Sequence, residues 1–172
     1  DLISSFAQNE NLIKYFLYFL IILTILNLFN LLMMGDAGAY LLGFFIGYLI
    51  INCHKANPLV SPYFFISLIW YPCFENLFSI IRKLKSKFSP LKPDNKHLHQ
   101  LMYIFIRKNF FKKKLSANNV SSLLINIVNL SIVYISSLKP YSSIHQIKII
   151  TVSLIIYTVV FILLNNKINK YE

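Results

Sequence analysis

Apolar residues fall in five runs along the chain, and the gaps between them hold most of the charge. The runs cover about 13–34, 37–53, 61–81, 120–138 and 147–164. Each is roughly as long as a helix that crosses a hydrocarbon core. The second is the shortest and must stand nearly upright or thin the lipid around it. The pattern predicts an all-α polytopic membrane protein: one transmembrane domain over 1–172, with five membrane-crossing helices. Residues 1–12 are polar and mixed, and read as an outer end or loop. Pro72 lies inside the third run and predicts a kink there. The long gap 82–119 predicts a polar loop. Within it, HLHQLMYIFI reads as a short amphipathic or re-entrant helix with Leu101, Tyr103, Phe105 and Ile106 toward the membrane interface.

Composition agrees with the pattern. Of the residues, 56% are hydrophobic and 13% charged, with a mean hydropathy of +0.59. That excludes an ordinary soluble domain. Thirteen of the 17 basic residues fall on one side of an alternating five-span arrangement: Arg82 to Lys114 in the long loop, with Lys167 and Lys170. Lys14, Lys55, Lys139 and Lys148 fall on the other. The basic side is expected to be cytoplasmic, which puts loop 82–119 and the C-terminus inside. The net charge of +11 then serves orientation and attraction to anionic headgroups, and calls for no nucleic acid. Cys53 and Cys73 make no disulfide framework. There is no P-loop, no dinucleotide glycine motif and no Ser/His/Asp order.

The candidate chemistry starts at Met34–Gly47, MGDAGAYLLGFFIG. It holds all four glycines and the one acid between Glu10 and Glu75. Asp36 sits between two apolar runs, where an ionised carboxylate is costly unless paired, hydrated or bound to a metal. Gly35 and Gly38 flank it and allow unusual torsions or a close backbone approach. Two readings stand: a metal or ligand site, or a polar break between helices. Ala39, Gly43 and Gly47 recur every four residues, a small-residue seam for helix packing. Asn27 and Asn30 share a face at the end of the first run, as interhelical hydrogen-bond partners or as a wall of the Asp36 site. Glu75 follows Pro72 by one turn and serves either a buried structural role or contact with a ligand or basic loop. Asn126 and Asn129 read as helix-to-helix glue, and His54 as a solvated loop histidine. His145 has no evident partner.

His97 and His99 stand two apart, after Asp94 and Lys96. A transition-metal site would want more His or Cys nearby. Imidazoles among lysines suit a phosphate, which cations and N–H donors can hold.

Two stretches together carry a family resemblance. MGDAGAYLLGF resembles the FMGDxGS…LG signature of the polyprenyl-phosphate sugar-1-phosphate transferases. SPLKPDNKHLHQLMY resembles their later PDRxHxHH signature. The order, the spacing and the span from Pro72 through Glu75 to Arg82-Lys83 agree as well. The resemblance implies a membrane phosphoglycosyltransferase that moves a sugar-1-phosphate from a UDP-sugar, of UDP-N-acetylhexosamine type, to undecaprenyl phosphate, releasing UMP, in cell-envelope glycan or lipopolysaccharide synthesis. It implies Mg²⁺, with Mn²⁺ as a substitute, at Asp36. It implies that His97 and His99 bind or orient phosphate. Gly35, Gly38, Asn30, Asp94 and Lys96 would line the substrate. It implies a bacterial inner membrane, with the reacting groups meeting at the cytoplasmic headgroup level.

The chain departs from the signatures in three places: Ala39 for the serine, Asn95 for the arginine and Gln100 for the last histidine. The family's earlier Asp-Asp pair and Asp-Gly motif are absent. The chain is therefore expected to match the C-terminal half of a larger enzyme and to show little activity without a partner supplying further acids. The alternative is a catalytically inactive fragment or membrane partner protein that keeps the frame. A small transporter with Asp36 and Glu75 along its path is a third reading, but it lacks the expected repeat or paired broken helices.

Overall fold

The structure is a computed structural model that describes residues 2–29, 31–32, 35–85, 96–111 and 113–169; for residues 2–10, 12 and 13 it describes the backbone only. Among the described residues seven helices follow in order: α1 (Leu2–Leu28), α2 (Gly35–Ala56), α3 (Pro62–Leu68), α4 (Trp70–Lys85), α5 (Leu98–Asn109), α6 (Lys114–Ser137) and α7 (Ser143–Asn169). There is no strand among the described residues. The all-helical expectation holds.

The expected count of about five spans is approximate: three or four candidate spans are found among the described residues. α2, α6 and α7 are each long and apolar enough to cross a membrane, and the pair α3–α4 makes a fourth if it counts as one broken span. Of α1, the stretch Lys14–Leu28 is a shorter apolar helical segment among the residues described with side chains. The first run was expected to stay helical to residue 34. It stops at Leu28, where Leu31 N–H reaches back to the Leu26 carbonyl at 2.9 Å and closes the helix end. At its other end α1 begins at Leu2 rather than near residue 13. Residues 2–28 contain neither glycine nor proline, so nothing in the polar segment stops the helix from extending through it.

The third run shows the disruption that Pro72 predicts, in a sharper form. It was expected to be one kinked helix, and it is two helices bent by 76°. The break falls at Ile69, three residues before Pro72. A proline ring clashes with the carbonyl four residues back, here Leu68, and offers that carbonyl no donor. Leu68 is the last residue of α3. Ile69 turns the chain at φ −114°, ψ 13°, with its N–H on the Ile66 carbonyl. α4 then restarts at Trp70, which leaves Pro72 in its first turn, where a missing N–H costs little.

The chain divides into two compact units, 1–49 and 50–172. In the first, the Phe16 and Phe45 rings stack at 5.4 Å between α1 and α2. A Cβ added at Gly43 or Gly47 would meet nothing within 4 Å, so the small-residue seam has no close neighbour among the described residues.

The second unit has a core where α4, α5 and α7 meet. Trp70, Leu98, Leu101, Tyr157, Phe161, Leu164 and Ile168 are buried together. Phe78 meets Phe161 edge-on at 4.9 Å, and Phe74 meets Tyr157 at 5.0 Å. Such ring pairs add to the apolar burial that holds the helices. The α6–α7 turn is fastened to α3 by hydrogen bonds. Ser61 N–H donates to the Pro140 carbonyl at 3.0 Å, and the Ser61 and Ser143 hydroxyls meet at 2.9 Å. The fully buried Gln146 donates to the Ser136 and Lys139 carbonyls at 2.9 and 3.0 Å.

α5 corrects the interface reading of its apolar face. Leu101 and Ile106 are 2% and 4% exposed and point into the protein, while Phe105 packs beside the core with the Lys167 ammonium 4.7 Å from its ring centre. Leu98 and Leu101 of this face share a buried cluster with Tyr157, Phe161, Leu164 and Ile168 of α7.

Candidate functional site

The geometry centres on Glu75, whose role the sequence left undecided. Its carboxylate is buried, at 6% exposure for the residue, on α4. Oε1 accepts a hydrogen bond from Leu98 N–H at 2.7 Å. Leu98 is the first residue of α5, and that N–H has no partner inside its own helix. A buried acceptor there satisfies the donor and places negative charge at the positive end of the helix. The same oxygen lies 3.6 Å from His97 Nδ1 and 3.4 Å from His99 Nδ1. These are ion-pair distances, longer than a good hydrogen bond. The Tyr71 hydroxyl, one turn before Glu75, neighbours the carboxylate without the geometry of a hydrogen bond.

The two imidazoles are stacked, 15° from parallel with centres 5.6 Å apart. His97 is the N-cap of α5 in extended conformation, at φ −82°, ψ 152°. Its own N–H donates to Gln100 Oε1 at 3.2 Å, one arm of a capping box. The Gln100 departure from the signature thus has a local physical role at the third position of the helix. His99 is the more exposed ring, its side chain 55% accessible against 23% for His97. Lys96 joins the site through its backbone, its carbonyl accepting from Arg82 Nη2 at 3.3 Å. The Arg82 guanidinium also lies 5.6 Å from the Phe161 ring centre, which ties α4, the start of α5 and α7 together.

Asp36 lies in the first turn of α2, exposed, next to Gly35 at φ +63°. Gly35 needs that left-handed torsion, as only glycine adopts it freely. The helix N-terminus favours the Asp36 charge. Gly38 is on the same opening turn. Asp36, Gly35 and Gly38 belong to the first unit; His97, His99 and Lys96 belong to the second. Asn30 and Asp94 lie outside the described residues. No group of three His, Cys, Asp or Glu side chains among the described residues is arranged to hold a metal ion.

Other polar residues sort themselves out. His54 is corrected from a loop to the last turn of α2, its ring edge-on to Phe65 at 5.5 Å. His145 has a partner, the Ile135 carbonyl, 3.1 Å from Nε2. Cys53 and Cys73 are both free and exposed. Behind α5, a cavity of about 430 Å³ is walled by apolar side chains that include Leu98, Met102, Val128 and Val160.

Sequence reasoning missed Glu75 as the hub of the histidine pair. Its signal was present: a lone acid in a span, 22 and 24 residues ahead of two histidines on the far side of a basic loop. Spacing alone could not say that the chain folds back.

No family model matches the chain. No solved structure matches it. Curated proteins do. The undecaprenyl-phosphate alpha-N-acetylglucosaminyl 1-phosphate transferase of Yersinia pestis is 31% identical over 74 residues, which is 40% of this chain and 19% of that protein. The Escherichia coli K12 protein of the same name is 32% identical over 71 residues, with the same coverage. The probable undecaprenyl-phosphate N-acetylglucosaminyl 1-phosphate transferase of Bacillus subtilis is 32% identical over 75 residues, 43% of this chain and 21% of that protein. The matched stretch spans about a fifth of the length of these relatives. Over two-fifths of its length, then, this helical membrane chain is similar to the undecaprenyl-phosphate N-acetylglucosaminyl 1-phosphate transferases.

Proposed function

We propose that this chain carries part of the machinery that transfers a sugar-1-phosphate from a UDP-sugar to undecaprenyl phosphate at the cytoplasmic face of a bacterial inner membrane. One observation carries the reading. A stacked pair of imidazoles is held by a buried carboxylate at the head of α5, in a chain similar to enzymes named for that transfer.

In this reading an oxygen of the lipid phosphate forms a bond to the β-phosphorus of the UDP-sugar. The bond from that phosphorus to the bridging oxygen breaks, and UMP leaves with the oxygen. Charge develops on the phosphoryl oxygens, so catalysis is mainly positioning and charge stabilisation. His97 and His99 orient a phosphate through the ring nitrogens turned away from Glu75. Lys96 and the basic residues of the loop add positive charge, with Asp94, Asn30, Gly35 and Gly38 along the substrate. Asp36 fits a divalent cation as its single protein carboxylate: it is exposed, and Mg²⁺ sites commonly use one or two carboxylates with substrate phosphates and water. Bound there, Mg²⁺ or Mn²⁺ would neutralise diphosphate charge.

The short share of the relatives that is matched favours a second reading, a non-catalytic partner that keeps the frame. The test is a chimera in which residues 34–100 of this chain replace the corresponding stretch of the E. coli transferase, assayed for UMP release dependent on undecaprenyl phosphate. Transfer is expected, and Asp36→Asn should lower it at least 100-fold while leaving membrane insertion intact. Full turnover in that variant would remove the main support. A chimera that inserts but never turns over would favour the silent partner.

A further inference from the structure

We propose that the corner between the end of α5 and the start of α6 is a docking site for anionic phospholipid headgroups. The proposal stands apart from the transfer chemistry. Arg107, Lys113 and Lys114 are exposed there, and so are Phe110, Phe111 and Leu115. Phe110 is the most open of the three, at 70%. The sequence has no acid between Asp94 and Glu172, so the neighbouring chain offers these cations no counter-charge. Nor does their charge serve α6, because a helix N-terminus is the positive end of its dipole. Cations beside exposed rings and a leucine match the charged and apolar layers of a lipid surface.

The fold brings two candidate span ends to this corner. α6 starts at Lys114, and α7 carries Lys167 in its last turn. The Lys167 ammonium lies 4.7 Å from the Phe105 ring centre, and that ring meets Phe110 edge-on at 6.1 Å. Where two spans end, the chain sits at headgroup depth, so the rings reach acyl chains while the cations meet phosphates. The corner is also held in place. Ile106 and Ala117 are buried on either side of it. The Phe110 and Phe111 N–H groups both donate to the Ile106 carbonyl, at 2.9 and 3.1 Å, which closes the end of α5. A helix rises about 1.5 Å per residue, so Arg107 lies roughly 13 Å along α5 from Leu98. That is too far for it to share the phosphate proposed for the histidine pair.

The experiment reads lipid contact at the corner itself. Trp70 is the one tryptophan of the chain, so Phe111→Trp with Trp70→Phe leaves a single fluorescent reporter there. The full chain is placed in phosphatidylcholine vesicles, and brominated lipids quench the reporter on contact. Brominated phosphatidylglycerol should bind beside it roughly fivefold more tightly than brominated phosphatidylcholine, the preference that one cation gives at a charged surface. Arg107→Gln, Lys113→Gln and Lys114→Gln together should bring that ratio close to unity. Lys139→Gln with Lys148→Gln, which removes charge from the other end of the α6–α7 hairpin, should leave it unchanged. A reporter that shows no preference for the anionic lipid overturns the proposal. So does a preference that survives the triple change, or one that the Lys139 and Lys148 changes abolish equally, since net charge alone would then explain it. If Trp70→Phe prevents folding, the same ratios are read with Trp70 kept, after subtracting the signal of the chain that lacks Phe111→Trp.

Discussion

Two residues show what a single side chain can fix in this chain. Glu75 caps a helix and gathers two imidazoles with one oxygen atom. Gly35 does the opposite kind of work, supplying a backbone torsion rather than a contact. Its φ of +63° belongs to the left-handed region, and a Cβ there would meet open space. Substitution therefore costs backbone strain alone. Gly35→Ala is expected to lower stability by about 1 kcal/mol, read by thermal unfolding in detergent. A loss near zero would mean that the turn into α2 relaxes to another conformation. Gly35 was legible in the sequence as a glycine beside a buried-looking acid. The clamp by Glu75 was not, because residues 75 and 98 meet only when α4 and α5 fold back on each other. Periodicity within a run cannot report a contact across a loop.

Among the elements, α5 does most to position the site, and it is held by packing rather than by its own propensity. At 12 residues it is near the lower limit for an isolated helix. Leu101 is 2% exposed at the centre of its buried face. Leu101→Ala is expected to destabilise the chain by about 3 kcal/mol, from lost burial and the cavity left behind. The same thermal measurement checks it, and a loss under about 1 kcal/mol would show that α5 is not anchored by that face. The existence of α5 could be read from HLHQLMYIFI, but the direction of its apolar face could not. Lipid and a protein core are both apolar, so the pattern alone does not separate them. The broken span illustrates a similar limit. Pro72 announced a disruption, yet the break sits at Ile69, because proline acts on the carbonyl four residues behind it.

Across the whole molecule, the hydrophobic pattern made the helical membrane class readable, since length and apolarity leave few other structures for such runs. The span count came out approximate because helix ends and breaks depend on local bonds, such as Leu31 to Leu26, that hydropathy does not register. Asn30 and Asp94 lie outside the described residues, so their place in the proposed site rests on the sequence. The charge bias of the loops supports the proposed orientation.

The account turns on Asp36 and the histidine pair serving phosphate chemistry at one face of the membrane. The direct measurement replaces Cys53 and Cys73 with serine, introduces Asp36→Cys or His99→Cys, and labels intact cells and inverted vesicles with a membrane-impermeant maleimide. Both cysteines are expected to react in inverted vesicles and to stay protected in intact cells. Labelling of one from each side of the membrane would contradict the account.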